Sequence, residues 1–171
     1  MYLSKQNFIK RKLEILQKSH SRQKTDIIED SIGILVNADE FSNYEFLRNL
    51  GKSMLKDVSI DILAFSNSNT GMGGENINTF SNSDFNLSGA VRSAKLNDFA
   101  AKPFRFLISY YQRENVFLDF LKASSQAAFK IGIQQQTSDF FQDLTIRTNP
   151  DQTEVFRSEV LKYLKIVNRI D

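Results

Sequence analysis

Residues 32–36 read Ile-Gly-Ile-Leu-Val, an unbroken apolar run followed at once by Asn37, Ala38 and Asp39 and then by an amphipathic helical pattern. A strand with no alternating polar face must be covered on both sides. That requirement points to a parallel sheet clothed by helices above and below. The carboxyl end of such a strand, where it hands over to a helix, is where open α/β sheets collect ligands.

The rest of the chain supplies what this strand needs. From Lys5 to about Arg22, Phe8, Ile9, Leu13 and Leu16 recur at helical spacing with Ile15 beside them, and basic residues fill the other faces. This is an amphipathic helix ahead of the sheet. Ser31–Asn37 is the first strand, a central one. Ser42-Asn43-Tyr44-Glu45 has capping-box spacing, although the helix start can lie as early as Asp39. Phe46, Leu47, Leu50 and Met54 form the inward stripe of that helix down to Lys56, and Ser59–Phe65 follows as the second strand. Ser66–Gly74 is a loop by composition, Ile77–Phe80 a short edge strand, and residues 90–101 a helix that stops before Pro103.

Phe104–Ser109 is the next strand and Asn115–Ser124 the next helix. Ala127–Ile133 and Asp143–Ile146 are further strands, separated by too few residues for an ordinary parallel crossover. The last strand is therefore antiparallel, or parallel through an unusually tight connection. For the final helix Asn149 serves as cap, Pro150 suits the first helical position and Gln152 reaches back. Phe156, Val160, Leu164 and Val167 form its stripe.

Alternating strands and helices predict an α/β fold: a three-layer, Rossmann-like open sheet, mostly parallel, of about five or six strands with helices on both faces. Residues 1–24 form the basic N-terminal helix and residues 25–171 a single α/β domain. The strand order reverses between Ile32–Val36 and Phe104–Ser109, so Asn37, Asp39, Ser109 and Tyr110 surround one crevice.

Composition narrows the chemistry. The 171 residues hold 15 Phe, enough for a substantial core, and no Cys, which removes disulfides, thiolate metal sites and a cysteine nucleophile. His20 is the single histidine, so one chain offers no two-histidine metal site, and a Ser-His-Asp triad has little to build on. No metal site is expected, and no cofactor or catalytic residue can be named. No apolar stretch approaches the roughly 18 residues of a membrane span, and cytoplasmic residence is the expectation. Net charge is +2, yet residues 1–24 carry +6 and the remainder −4. That asymmetry directs attention to an anionic partner.

The candidate residues follow. Gly71-Met72-Gly73-Gly74 lacks the Lys-Ser ending of a phosphate loop and reads as a flexible loop. Asn37, Asp39 and Ser109 lie at carboxyl ends of strands, with Asp84 and Asn86 reaching toward the same crevice; together they are the candidate ligand-binding set. Each has a plainer role open to it: Asp39 can cap a helix, and Asp84 and Asn86 can close turns. Neither Ser66 nor Ser109 lies in a Gly-x-Ser-x-Gly elbow, and no carboxylate spacing nominates an acid/base pair. Lys10, Arg11, Lys12, Lys18 and Arg22 are the candidate contacts to an anionic partner, nucleic acid or ribosome.

The segments KSHSRQ, SIGILVN, FSNSDFNLSG, PFRFLIS and AAFKIG, in this order, resemble a family of small bacterial proteins classed as a domain of unknown function. The resemblance covers about residues 10–168. Where its pattern reads Asp-Leu-Asn-Trp, this chain has Asp84-Phe85-Asn86-Leu87, and Ile108 stands where the pattern has an aspartate. The resemblance implies the α/β fold and no activity. The functional expectation is a cytoplasmic binding or assembly protein, with contact to an anionic partner through the basic helix or association with its own copies. The alternative is a small-ligand or nucleotide-sugar-type enzyme working at the carboxyl ends of the strands.

Overall fold

The apolar run occupies the middle of a parallel sheet. The computed structural model describes residues 4–19, 29–68, 77–135 and 139–171. In it β1 (Glu29–Asn37) pairs in parallel with β2 (Ser59–Phe65) on one side and with β4 (Phe104–Tyr110) on the other. Ile34 faces Ile62 across one ladder and Ile108 across the other. Adding β3 (Ile77–Phe80), β5 (Phe129–Ile133) and β6 (Leu144–Ile146), the described strands form a six-stranded sheet in the order β3-β2-β1-β4-β5-β6, every pairing parallel. The order reverses between β1 and β4, as the sequence predicts, and this is the doubly wound arrangement.

Helices cover both faces, and the side-chain alternation of β1 shows why both are apolar. Ile32, Ile34 and Val36 point to one face, where α2 (Tyr44–Met54) brings Leu47 and Leu50 and α5 (Thr153–Ile166) brings Phe156, Val160 and Leu164. Leu35 points to the other face, toward α1 (Lys5–Lys18) with Ile9, α3 (Ala94–Ala101) with Leu96 and Phe99, and α4 (Val116–Ser124) with Phe117, Leu118 and Leu121. Gly33 lies on this second face beneath the Phe104 ring. A Cβ there would come within 2.7 Å of the ring, so glycine is what lets the aromatic lie flat on the strand.

Several boundaries differ from the sequence expectation, each for a local reason. Helix α1 ends at Lys18, and residues 20–28 lie outside the described residues. Asn43, not Ser42, caps α2: its side chain accepts from the Phe46 amide at 3.1 Å. The backbone before it is committed to a turn in which the amides of Glu40 and Phe41 both donate to the Asn37 carbonyl. Helix α3 starts at Ala94 because residues 84–92 form a tight turn. The Asn86 amide donates to the Ala90 carbonyl, the Arg92 amide to the Asp84 carbonyl, and Gly89 has φ +71°. The expected cap of α5 also shifts. Asn149 accepts from the Asp151 amide in a turn of its own, so the helix begins at Thr153 with Gln152 at the cap position and no side-chain capping bond. Val167, expected in the stripe, is the C-cap residue and half-exposed.

Of the two expectations for the last strand, the parallel one holds. Among the described residues the β5–β6 connection holds a short 3₁₀ turn, Asp139–Phe141, with one carboxylate at its start and one just beyond it tied to the backbone of β5 and its exit. Asp139 accepts from the Gln135 amide at 2.8 Å and Asp143 from the Lys130 amide at 2.7 Å. Among the described residues no helix is long and apolar enough to cross a membrane.

Candidate functional site

At the carboxyl ends of β1 and β4 a side chain of the protein itself bridges the two strand exits. Glu40, from the turn after β1, extends its carboxylate to the start of the β4–α4 loop. There Oε2 accepts from the Gln112 amide at 2.9 Å and Oε1 from the Arg113 amide at 2.8 Å, with the Asn37 side-chain amide donating to Oε1 at 3.3 Å. These are charge-assisted bonds to backbone donors, the strong kind. They use the donors that an anionic ligand would need at a switch point. The β1–α2 turn, Asn37-Ala38-Asp39-Glu40-Phe41-Ser42-Asn43, also lacks the glycines that let a pyrophosphate approach a backbone.

The candidate residues around this crevice are committed to the fold. Asn37 is almost fully buried, and its Oδ1 accepts from the Asp39 amide at 3.0 Å, an Asx turn. Asp39 is exposed and accepts from the Ser66 hydroxyl at 3.4 Å. Ser109 is fully buried on the face covered by α4, and its Oγ has no hydrogen-bond partner among the described residues. Tyr110 is buried too, and its hydroxyl donates to the Pro150 carbonyl at 2.8 Å. Asp84 and Asn86 follow the edge strand β3, not the switch point. Asp84 closes a capping box, accepting from the Ser81 amide at 2.9 Å, and Asn86 accepts from the Ser88 hydroxyl and the Ala90 amide.

An open cleft lies one to three strands further along, over the carboxyl ends of β4, β5 and β6. Its volume is about 750 Å³. Gln112, Arg113 and Glu114 follow β4, Gln134 and Gln135 follow β5, and Arg147, Thr148 and Asn149 follow β6, with Gln152 completing the wall at the head of α5. The Arg113 guanidinium has no hydrogen bond or ion pair among the described residues. Among the described residues Arg147 makes one bond, from Nε to Gln134 Oε1 at 3.1 Å, which leaves its terminal nitrogens unspent there. Gln112 reaches across the cleft, donating to the Thr148 carbonyl at 3.4 Å. Such a wall of amides and guanidiniums suits a polar, negatively charged molecule. The same rule that drew attention to β1, applied to the residues after β4, β5 and β6, is the signal that locates it.

Beneath this cleft a polar network replaces the usual apolar filling between α4 and β5. Lys122 is fully buried, and its ammonium donates to Gln135 Oε1 at 3.0 Å and to Gln142 Oε1 at 3.2 Å, with Asp119 at 3.8 Å. Burial pulls the Lys122 amine down from 10.5 to about 8, against the attraction of Asp119 and Asp139. The Tyr111 hydroxyl donates to Asp119 at 2.8 Å, and burial followed by the Asp119 charge pushes it well above the ordinary tyrosine range. Gln135 joins the network to the cleft: its Nε2 donates to the Tyr111 carbonyl at 2.9 Å while the residue lines the cleft. Among the described residues no three His, Cys, Asp or Glu side chains gather in the manner of a metal site.

A family model described as a family of unknown function, DUF6913, matches residues 4–167. The chain belongs to this family. No curated protein and no solved structure matches it.

As a member of DUF6913 the chain carries its basic residues unevenly engaged. Lys5 Nζ donates to the Asn82 carbonyl at 2.7 Å and Lys12 Nζ to the Gly89 carbonyl at 3.0 Å, so both hold α1 against the 82–89 segment. Lys10, Arg11 and Lys18 are exposed. Arg22, His20 and the Gly71–Gly74 loop lie outside the described residues. Of the two positions singled out in the sequence, Leu87 projects from its turn, 81% exposed, and Ile108 is buried between Ile34 and Ile131.

Proposed function

We propose that this protein binds a small, polar, negatively charged molecule over the carboxyl ends of β4–β6. The observation that carries the reading is the pair of guanidiniums, Arg113 and Arg147, with donors unspent among the described residues on a cleft otherwise walled mainly by amides, with Glu114 and Thr148. Arginine forks match carboxylate and phosphate oxygens two at a time, and amide side chains supply donors and acceptors for a hydroxylated body. This is the small-ligand reading of the strand ends, moved from the β1/β4 crevice to its neighbour.

Binding fits the lining better than catalysis. Arginine does not exchange protons near neutral pH, and Glu114 is the one carboxylate on the cleft wall among the described residues. A thermal-shift series with inorganic phosphate, pyrophosphate, sugar phosphates and nucleotides tests the reading. One class is expected to raise the unfolding midpoint saturably, and Arg147→Ala and Arg113→Ala each to abolish the rise. No rise with any of them, or a rise unchanged in both variants, overturns it.

A second reading has its own observation. Lys10, Arg11 and Lys18 project from α1 unpaired with any carboxylate among the described residues, an arrangement suited to a phosphate backbone. It is tested by RNA and DNA binding across salt, wild type against the Lys10→Ala, Arg11→Ala, Lys18→Ala triple variant. Identical salt slopes remove it.

A further inference from the structure

We infer that Glu40 is a positioning residue for the cleft, although it is not part of the cleft wall. The inference rests on the ligand reading above. Glu40 belongs to the turn after β1, and its carboxylate reaches over the sheet to the amides of Gln112 and Arg113. Those two residues are cleft wall on their other side: Arg113 supplies a guanidinium unspent among the described residues, and the Gln112 side chain bonds to the Thr148 carbonyl on the opposite wall. A chain of contacts thus runs from Glu40 through Gln112 to Thr148, joining the β1–α2 turn to the β6–α5 connection. Asn37 braces the carboxylate from behind through its side-chain amide.

The geometry separates this role from that of a gate. Both carboxylate oxygens are engaged by backbone donors at 2.9 and 2.8 Å, and a free anion competing for those amides would have to displace a tethered carboxylate already in place. The clamp therefore stays closed when the cleft fills. Its effect is to hold the loop carrying Arg113 in one conformation, so that the guanidinium meets the ligand with little ordering left to do.

Calorimetric titration with inorganic pyrophosphate, on wild type, Glu40→Gln, Glu40→Ala and Arg147→Ala, is the test, joined to amide hydrogen exchange at Gln112 and Arg113. Glu40→Ala is expected to weaken pyrophosphate binding by about tenfold and to speed exchange at those two amides. Glu40→Gln, which keeps one carbonyl acceptor, is expected to fall between and serves as the readout should the alanine variant fail to fold. Binding by wild type that is lost in Arg147→Ala but unchanged in both Glu40 variants overturns the role of Glu40 and leaves the cleft reading standing. Failure of wild type to bind pyrophosphate or any of inorganic phosphate, the sugar phosphates and the nucleotides overturns both.

Discussion

At the scale of single residues, two buried polar side chains bear the most checkable consequences. Ser109 places a hydroxyl with no partner among the described residues inside the sheet, a group that costs desolvation and returns no bond. Ser109→Ala is expected to leave stability unchanged or raise it by about 1 kcal/mol in urea unfolding. A loss above that size would mean the hydroxyl has a role that the geometry does not reveal. Lys122 is the opposite case, a buried charge whose hydrogen bonds are made but whose amine is pulled from 10.5 to about 8. The unfolded chain binds the proton more tightly, so between pH 8 and 10.5 it holds more protons than the folded one, and stability rises with pH across that window. Below about pH 8 the charged amine is present in both states and its burial cost persists. The stability difference between wild type and Lys122→Met should therefore move in favour of wild type from pH 8 upward, by roughly 3 kcal/mol across the window. A difference flat across the window would contradict the assignment. Tyr110 and Tyr111 act the other way above pH 10, since burial raises both and their contribution fades as the unfolded chain ionises.

At the scale of elements, α1 separates packing from charge. Ile9 is fully buried against the face that carries Leu35 and Phe117, and a Cβ on Gly89 would come within 2.9 Å of it. Ile9→Ala is expected to cost roughly 2–5 kcal/mol, the range for deleting a buried aliphatic side chain. Lys12→Ala, which removes one part-buried bond to the Gly89 carbonyl, should cost about 1 kcal/mol. Denaturant midpoints of the two variants check this, and equal losses would show that α1 is held by its charges. The same element shows how far periodicity reaches. The 3.6-residue stripe found the helix and its inward residues, but it could not show that Lys5 and Lys12 would be spent on backbone carbonyls while Lys10, Arg11 and Lys18 stayed outside. The caps of α2 and α5 failed for a related reason. Several residues at each start have the right chemistry, and the choice among Ser42, Asn43, Asn149 and Gln152 depends on where the preceding turn lets the first helical amide fall.

At the scale of the whole molecule, the sheet grades in protection from centre to edge. β1 and β4 are paired on both sides and covered by both apolar layers, whereas β3 and the three-residue β6 lie at the margins. Native-state hydrogen exchange should show the slowest amides in β1 and β4 and the fastest of the sheet in β3 and β6. Protection in β6 equal to that in β1 would contradict the layering.

Alternation and run length are local properties, so a strand with two apolar faces, its central position and the reversal beside it could be read from Ile32 to Val36 and its neighbours. The place of the open cleft could not. It depended on which side chain reaches across the switch point, and Glu40 is three residues beyond β1 in sequence while its bonding partners are more than seventy residues away. Only the folded backbone brings that carboxylate to the Gln112 and Arg113 amides. Once it is there, the two backbone donors at the start of the β4–α4 loop are engaged, and among the described residues the Arg113 guanidinium and the Arg147 terminal nitrogens keep theirs.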